Sequence, residues 1–117
     1  MSTDRELLKL AAKAARYPVR GIAAQMVSYL PEDAPHLVIG NDRGGDSVWN
    51  PLTDDGDALR LAVKLGMAVS VCLRMPDGDF TAILGSGIDS EKHKDDPYAA
   101  TRRAIVRAAA EIGSDLS

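Results

Sequence analysis

Aromatic side chains are scarce in this chain: one Trp, one Phe and three Tyr make up 4% of 117 residues. A core with that composition has to be built from Leu, Ile, Val and Ala, which pack closely but form a thin layer. Cysteine is nearly absent too. Cys72 stands alone, so no intramolecular disulfide can form, and its setting in Val69-Ser70-Val71-Cys72-Leu73 marks it as a small buried hydrophobe in a reducing compartment. Positive charge is not in excess. A formal net charge of -3 removes global attraction to a phosphate backbone, which makes nucleic acid a disfavoured partner. No apolar run approaches the roughly 20 residues that span a bilayer, and residues 1–9 hold four charges, unlike a secretory signal. A cytoplasmic protein without membrane contact is expected.

What is present is ordinary for a globular chain: 45% hydrophobic and 26% charged residues, at a length that suits one core. Residues 1–117 therefore read as a single domain. Thr3 and Glu6 have capping-box spacing and open a helix that runs to about Tyr17-Pro18. Leu7, Leu8, Leu10, Ala11, Ala14 and Ala15 share one of its faces, and Arg5, Lys9, Lys13 and Arg16 the other. Residues 22–30 fit a short strand better than a helical stripe, and Pro31-Glu32-Asp33-Ala34-Pro35 breaks the chain after it. Residues 37–39 and 47–49 flank small and polar residues, which predicts an antiparallel hairpin.

Thr53 is the expected N-cap of a second helix. Asp54, Asp55 and Asp57 lie at its positive end, Arg60 and Lys64 follow, and Gly66 stops it; Leu59, Ala62 and Val63 are its expected buried stripe. Residues 67–73 and 79–84, joined by the turn sequence Met75-Pro76-Asp77-Gly78, predict a second hairpin. Gly85-Ser86-Gly87 and a polar connection over residues 89–95 come next. Asp96 then caps a third helix with Pro97 at its first position, a stop at Gly113, and Tyr98, Ile105, Ala109 and Ile112 turned inward. The fold class that follows is α+β: an antiparallel sheet of about four strands covered by three amphipathic helices, an α/β/α sandwich. Neither face of residues 67–73 is strongly polar, so helices are expected over both sheet faces.

Chemistry-bearing patterns are few. His36 and His93 have no neighbouring Cys and no His-x-x-x-His spacing, no serine sits in a Gly-x-Ser-x-Gly elbow, and the Gly44-Gly45 and Gly85-Ser86-Gly87 stretches lack the setting of a nucleotide loop. No catalytic residue, metal ligand or cofactor is assigned, and the chain is expected not to be an enzyme. The binding candidates are Trp49, Asn50, Tyr98 and Arg102. Trp49 either floors a pocket or packs under the second helix, with Asn50 and Pro51 shaping the turn and Thr53 and Asp54 opening the helix. Arg102 projects beside Tyr98, Val106 and Ala109, where a guanidinium has either a carboxylate partner or an anionic ligand. Arg103 and Arg107 project towards solvent, as does the basic stripe of the first helix.

Trp49-Asn50-Pro51-Leu52-Thr53-Asp54-Asp55-Gly56-Asp57-Ala58-Leu59, taken with Ala100-Thr101-Arg102-Arg103-Ala104-Ile105-Val106-Arg107-Ala108-Ala109, resembles the small phage and prophage proteins of the phage ABA sandwich type. In that group a Trp-Asn-Pro-like segment opens a helix and an Ala-Ile-x-Arg-Ala-Ala-like segment closes the domain. Trp49, Asn50, Pro51, Ala104, Ile105, Arg107, Ala108 and Ala109 match the pattern, while residues 19–46 are longer than is usual in the group. The resemblance implies an α/β/α sandwich and a phage or prophage protein of the bacterial host cytoplasm, and it implies no activity.

The expected function is that of a non-enzymatic accessory protein that binds a host protein to modulate host defence or metabolism. Two other readings stay open. One is a binder or sponge for a small anionic, nucleotide-like ligand at a homo-oligomer interface, with Trp49 or Tyr98 stacking a base and Arg102 meeting phosphate. The other is a nucleic-acid-binding accessory protein that joins the basic stripe to Arg103 and Arg107. A protein-binding role predicts an exposed apolar patch of roughly several hundred Å² beyond the core.

Overall fold

The Thr3 side chain accepts a hydrogen bond from the Glu6 N–H at 3.1 Å, and the helix so capped, α1 (Asp4–Ala15), ends at Arg16 in the left-handed conformation. This computed structural model describes residues 3–84 and 87–116. Beyond α1 come β1 (Val19–Ile22), a single 3-10 turn (Ala23–Gln25), β2 (Leu37–Gly40), β3 (Asp46–Trp49), α2 (Asp55–Lys64), β4 (Ala68–Cys72), β5 (Phe80–Leu84), β6 (Ile88–Lys92) and α3 (Pro97–Asp115). The strands form two antiparallel sheets of three, ordered β1-β2-β3 and β4-β5-β6. The α+β class is as expected, whereas the single sheet of about four strands is replaced by two small ones.

Helix α3 is the hub of the packing. α1 lies along it, α2 packs on it, and β5 and β6 run beneath it, while the first sheet meets α1 through β2. The contact between α1 and α3 is made of small residues: Ala11, Ala12 and Ala15 are buried on one side, and Ala104, Ala108 and Ala109 on the other. The two helices approach tightly at Gly113, where a Cβ atom would stand 1.9 Å from the Leu10 carbonyl oxygen. Leu8, Leu37, Ile39, Leu61, Ile83 and Val106 fill the interior around this seam.

Several sequence expectations are corrected here. Residues 22–30 are not a strand: β1 is finished by Ile22, Ala23 donates to the His36 carbonyl, and the chain turns at once. β1 comes earlier because Pro18 already faces β2, its carbonyl accepting from the Gly40 N–H. The cap of α2 is Asp54, whose carboxylate accepts from the Asp57 N–H at 2.7 Å, and not Thr53. The buried stripe of α2 is Ala58, Leu61 and Ala62, because small residues on either side of Leu61 let the helix close on α3, while Leu59 and Val63 face outward. Tyr98 is also turned out. Gly113 does not stop α3 but lies inside it, placed there for the close approach to α1.

Residues 89–92, read as part of a polar connection over 89–95, belong with Ile88 to the edge strand β6. Its alternation places Asp89 beside Ile83 and Glu91 beside Thr81 on the helix-covered face. Only that face is covered; the opposite one presents Ser70, Ser90 and Lys92 to solvent, and Cys72 is half-buried rather than buried. Gly66 does end α2, with a left-handed φ of 65°. Of the Gly85-Ser86-Gly87 turn, the first two residues lie outside the described ones.

Replacing Gly113 with Ala forces a methyl group into the Leu10 backbone, which cannot move without parting the two helices. The expected loss is at least about 2 kcal/mol in urea-induced unfolding, against a near-neutral Ser114→Ala at the exposed neighbour.

Candidate functional site

Antiparallel register puts Val69 opposite Ile83 and Val71 opposite Thr81, so all four side chains share the face that looks towards the helices. Helix α3 packs mainly on β5 and β6, burying Ile83 and Thr81, and leaves Val69 and Val71 of β4 exposed. The result is a groove of about 340 Å³ between α2, α3 and β4, lined by Ala58, Leu59, Ala62, Val69, Val71 and Ile105, with Pro97 and Tyr98 contributed by the first turn of α3. Its side chains are far from closed over: Val69 is 41% exposed, Val71 54%, Leu59 64% and Tyr98 71%, and Val63, one turn beyond Leu59 on α2, is 72% exposed. Leu73 and Met75 extend the exposed apolar series past the end of β4.

Arg102 is the polar fixture of this groove. Its Nε donates to the Leu52 carbonyl at 2.8 Å and its Nη1 to Asp55 at 2.6 Å, so the guanidinium ties α3 to the turn that leads into α2. That turn is organised by Asn50, which is buried. The Asn50 side-chain oxygen accepts from the Leu52 N–H, its backbone carbonyl accepts from the N–H groups of Thr53 and Asp54, and its own N–H donates to Asp57. Pro51 is buried beside it. Behind the groove, Thr101 donates to the Pro97 carbonyl at 2.8 Å, which uses its only proton. Thr81 must therefore donate to Thr101, also at 2.8 Å, and accept from Nε2–H of His93 at 2.8 Å. This one-way chain fixes the His93 tautomer and sews β5, the segment after β6 and α3 together.

The remaining candidates sit elsewhere. Trp49 is buried at the end of β3, its ring 5.8 Å from that of Tyr17 in an edge-to-face contact. Both rings border a separate pocket of about 270 Å³ with Asp42, Arg43, Asp57 and Arg60. Lys64 stands over the Tyr17 ring, 4.4 Å from its centroid, and pairs with Asp42. Hydrogen bonding to Lys64 lowers the Asp42 carboxyl below its ordinary value, and burial followed by the Asp42 charge raises the Tyr17 hydroxyl above the ordinary 10.0. The structure thus brings Tyr98 and Arg102 to one groove and sets Trp49 and Asn50 apart from it. Arg103 pairs with Asp4 and Arg107 with Glu91.

Sequence reasoning missed Leu59, Val63, Val69 and Val71 as surface residues. The available signal was that α2 carries two apolar stripes, one more than the face it turns to α3 can use. Among the described residues, no group of three His, Cys, Asp or Glu side chains is placed to hold a metal ion, and no helix is long and apolar enough to cross a membrane.

Arg102→Ala strands the Leu52 carbonyl and opens the floor of the groove. The expected cost is about 1–3 kcal/mol in denaturant unfolding, most of it from the carbonyl bond, since the Asp55 carboxylate is largely solvated. A second expectation concerns pH. Above about pH 10 the unfolded chain releases a Tyr17 proton that the folded chain retains, so stability falls as pH rises, and Tyr17→Phe flattens that part of the profile.

Compared with protein-family models, curated proteins and solved structures, the chain matches none.

Proposed function

We propose that this is a non-enzymatic docking protein that receives an extended apolar segment of a protein partner along β4 and in the groove beside it. The observation that carries this reading is the exposure of Leu59, Val69, Val71 and Tyr98 around one groove on three elements, with Val63 exposed one turn beyond Leu59 on α2, next to the backbone edge of a strand. Single exposed hydrophobics are normal on any surface, but a continuous group of them beside an open strand is the usual form of a strand-addition site. In the setting suggested by the resemblance of residues 49–59 and 100–109 to phage ABA sandwich proteins, a heterologous partner is a protein of the bacterial host.

The charges around the groove favour a protein over an anion. Arg102 is met by Leu52 and Asp55, and Asp54, Asp55, Asp95 and Asp96 crowd the helix starts, where they repel phosphate. The pairing of Arg103 with Asp4 and of Arg107 with Glu91 weighs likewise against a nucleic-acid face.

A photo-crosslinking amino acid placed at Val63 in cells producing the protein is expected to give a discrete protein adduct, while the same probe at Lys9 on α1 gives none. Leu59→Asp should cut the Val63 adduct at least ~10-fold without changing the circular dichroism spectrum. Equal labelling at both positions, or none at Val63, counts against docking.

A further inference from the structure

The two sheets have four outer strands, and three of them are guarded. β6 turns Asp89 and Glu91 towards the helix face, Glu91 pairing with Arg107, and carries Lys92 as well. β1 has a register break between Val19 and Gly21, and β3 opens with Asp46, which pairs with Arg20. Charged side chains and bulges on an edge strand obstruct the approach of another strand. β4 has neither. Its sequence, Ala68-Val69-Ser70-Val71-Cys72, is without charge, proline or bulge; among the described residues no strand lies beyond it, and no loop or cap hydrogen bond reaches its backbone.

The order of side chains around β4 has a second property. Met67-Ala68-Val69-Ser70-Val71-Cys72-Leu73 reads the same in chemical type from either end, with Ser70 at the centre. Resting on the reading of this surface as a docking site, we infer that the segment it receives is β4 of a second copy of this chain, paired antiparallel about Ser70. A two-fold axis there sets Val69 against Val71, Ala68 against Cys72 and Ser70 against Ser70 of the second copy, so like meets like by symmetry. The two three-stranded sheets become one of six strands.

Strand pairing alone is too small to hold a dimer: five residues extend about 17 Å, while stable interfaces bury ~800 Å² on each partner. The symmetry supplies the remainder. An axis normal to the sheet keeps the helices of both copies on the same face, so Leu59 and Val63 of each α2 meet above the paired valines, and the groove of each copy is closed by the other. Charge does not oppose this approach. The ionic groups along α2 are balanced within each chain, Asp55 by Arg102, Asp57 by Arg60 and Lys64 by Asp42.

Native mass spectrometry of the full chain at micromolar concentration is expected to show two chains, and Val71→Lys, with an unchanged circular dichroism spectrum, to weaken association at least ~100-fold. With Cys72 replaced by Ala, Ser70→Cys is expected to form an intermolecular disulfide under mild oxidation, because residues opposite one another in an antiparallel pair lie about 4.5–5.5 Å apart at Cα. Ser90→Cys on the guarded edge is expected to form none. A monomer at every concentration, or equal cross-linking at Ser70 and Ser90, overturns the inference. A monomer that gives an adduct of foreign mass at Val63 overturns the second copy but keeps the docking site; a monomer with no adduct ends both.

Discussion

Everything in this fold hangs from the closeness of α1 and α3. Two helices can approach this far only where side chains are reduced to methyl groups or nothing, and the alanines of both helices, with Gly113 over the Leu10 carbonyl, satisfy that condition. The scarcity of aromatics belongs to the same constraint. The alanine seam has no room for large rings, and the buried pair Trp49 and Tyr17 lies away from it, against the first sheet. Once α1 occupies one side of α3, the others remain for α2 and for β5 and β6, and nothing is left to cover β4.

The position of α2 is set by polar contacts as much as by packing. Asn50 bends the chain into the helix, Arg102 clamps the Leu52 carbonyl to α3, and Leu61 is driven inward between two alanines. With that face fixed, Leu59 and Val63 have nowhere to go but out. The groove is therefore not a packing defect. It follows from a helix held by its start and by its small-residue face, beside a sheet whose outermost strand α3 leaves exposed.

The starts of α1 and α3, the stop of α2 and the two hairpins were legible in the sequence because they are local: a hydroxyl three residues before a carboxylate, a proline after an aspartate, a glycine past the last turn, a Pro-Asp-Gly turn. The phase of α2 was not, since periodicity offers residues 58, 61 and 62 and residues 59, 62 and 63 alike, and the choice is made by the distance to α3. Gly113 misled for a related reason. A glycine at the end of an apolar pattern reads as a stop, and only the presence of α1 shows that it is a contact. β6 escaped notice because its inward residues are Asp89 and Glu91, a pattern that suits the guarding of an edge and not the filling of a core. Of the candidate site, Tyr98 and Arg102 were named from sequence and do line one groove. The strand and helix residues that make the groove apolar were assigned to the interior.

The place of Trp49 has a practical consequence. It is the only indole in the chain, and it sits against Tyr17 at the end of the first sheet, near Lys64 and Asp42 and away from the lining of the groove. Its fluorescence is thus a local signal from one half of the molecule, responsive to the loosening of β3 and to the ionisation of its tyrosine neighbour. Events along β4 are optically silent unless α2 carries them across.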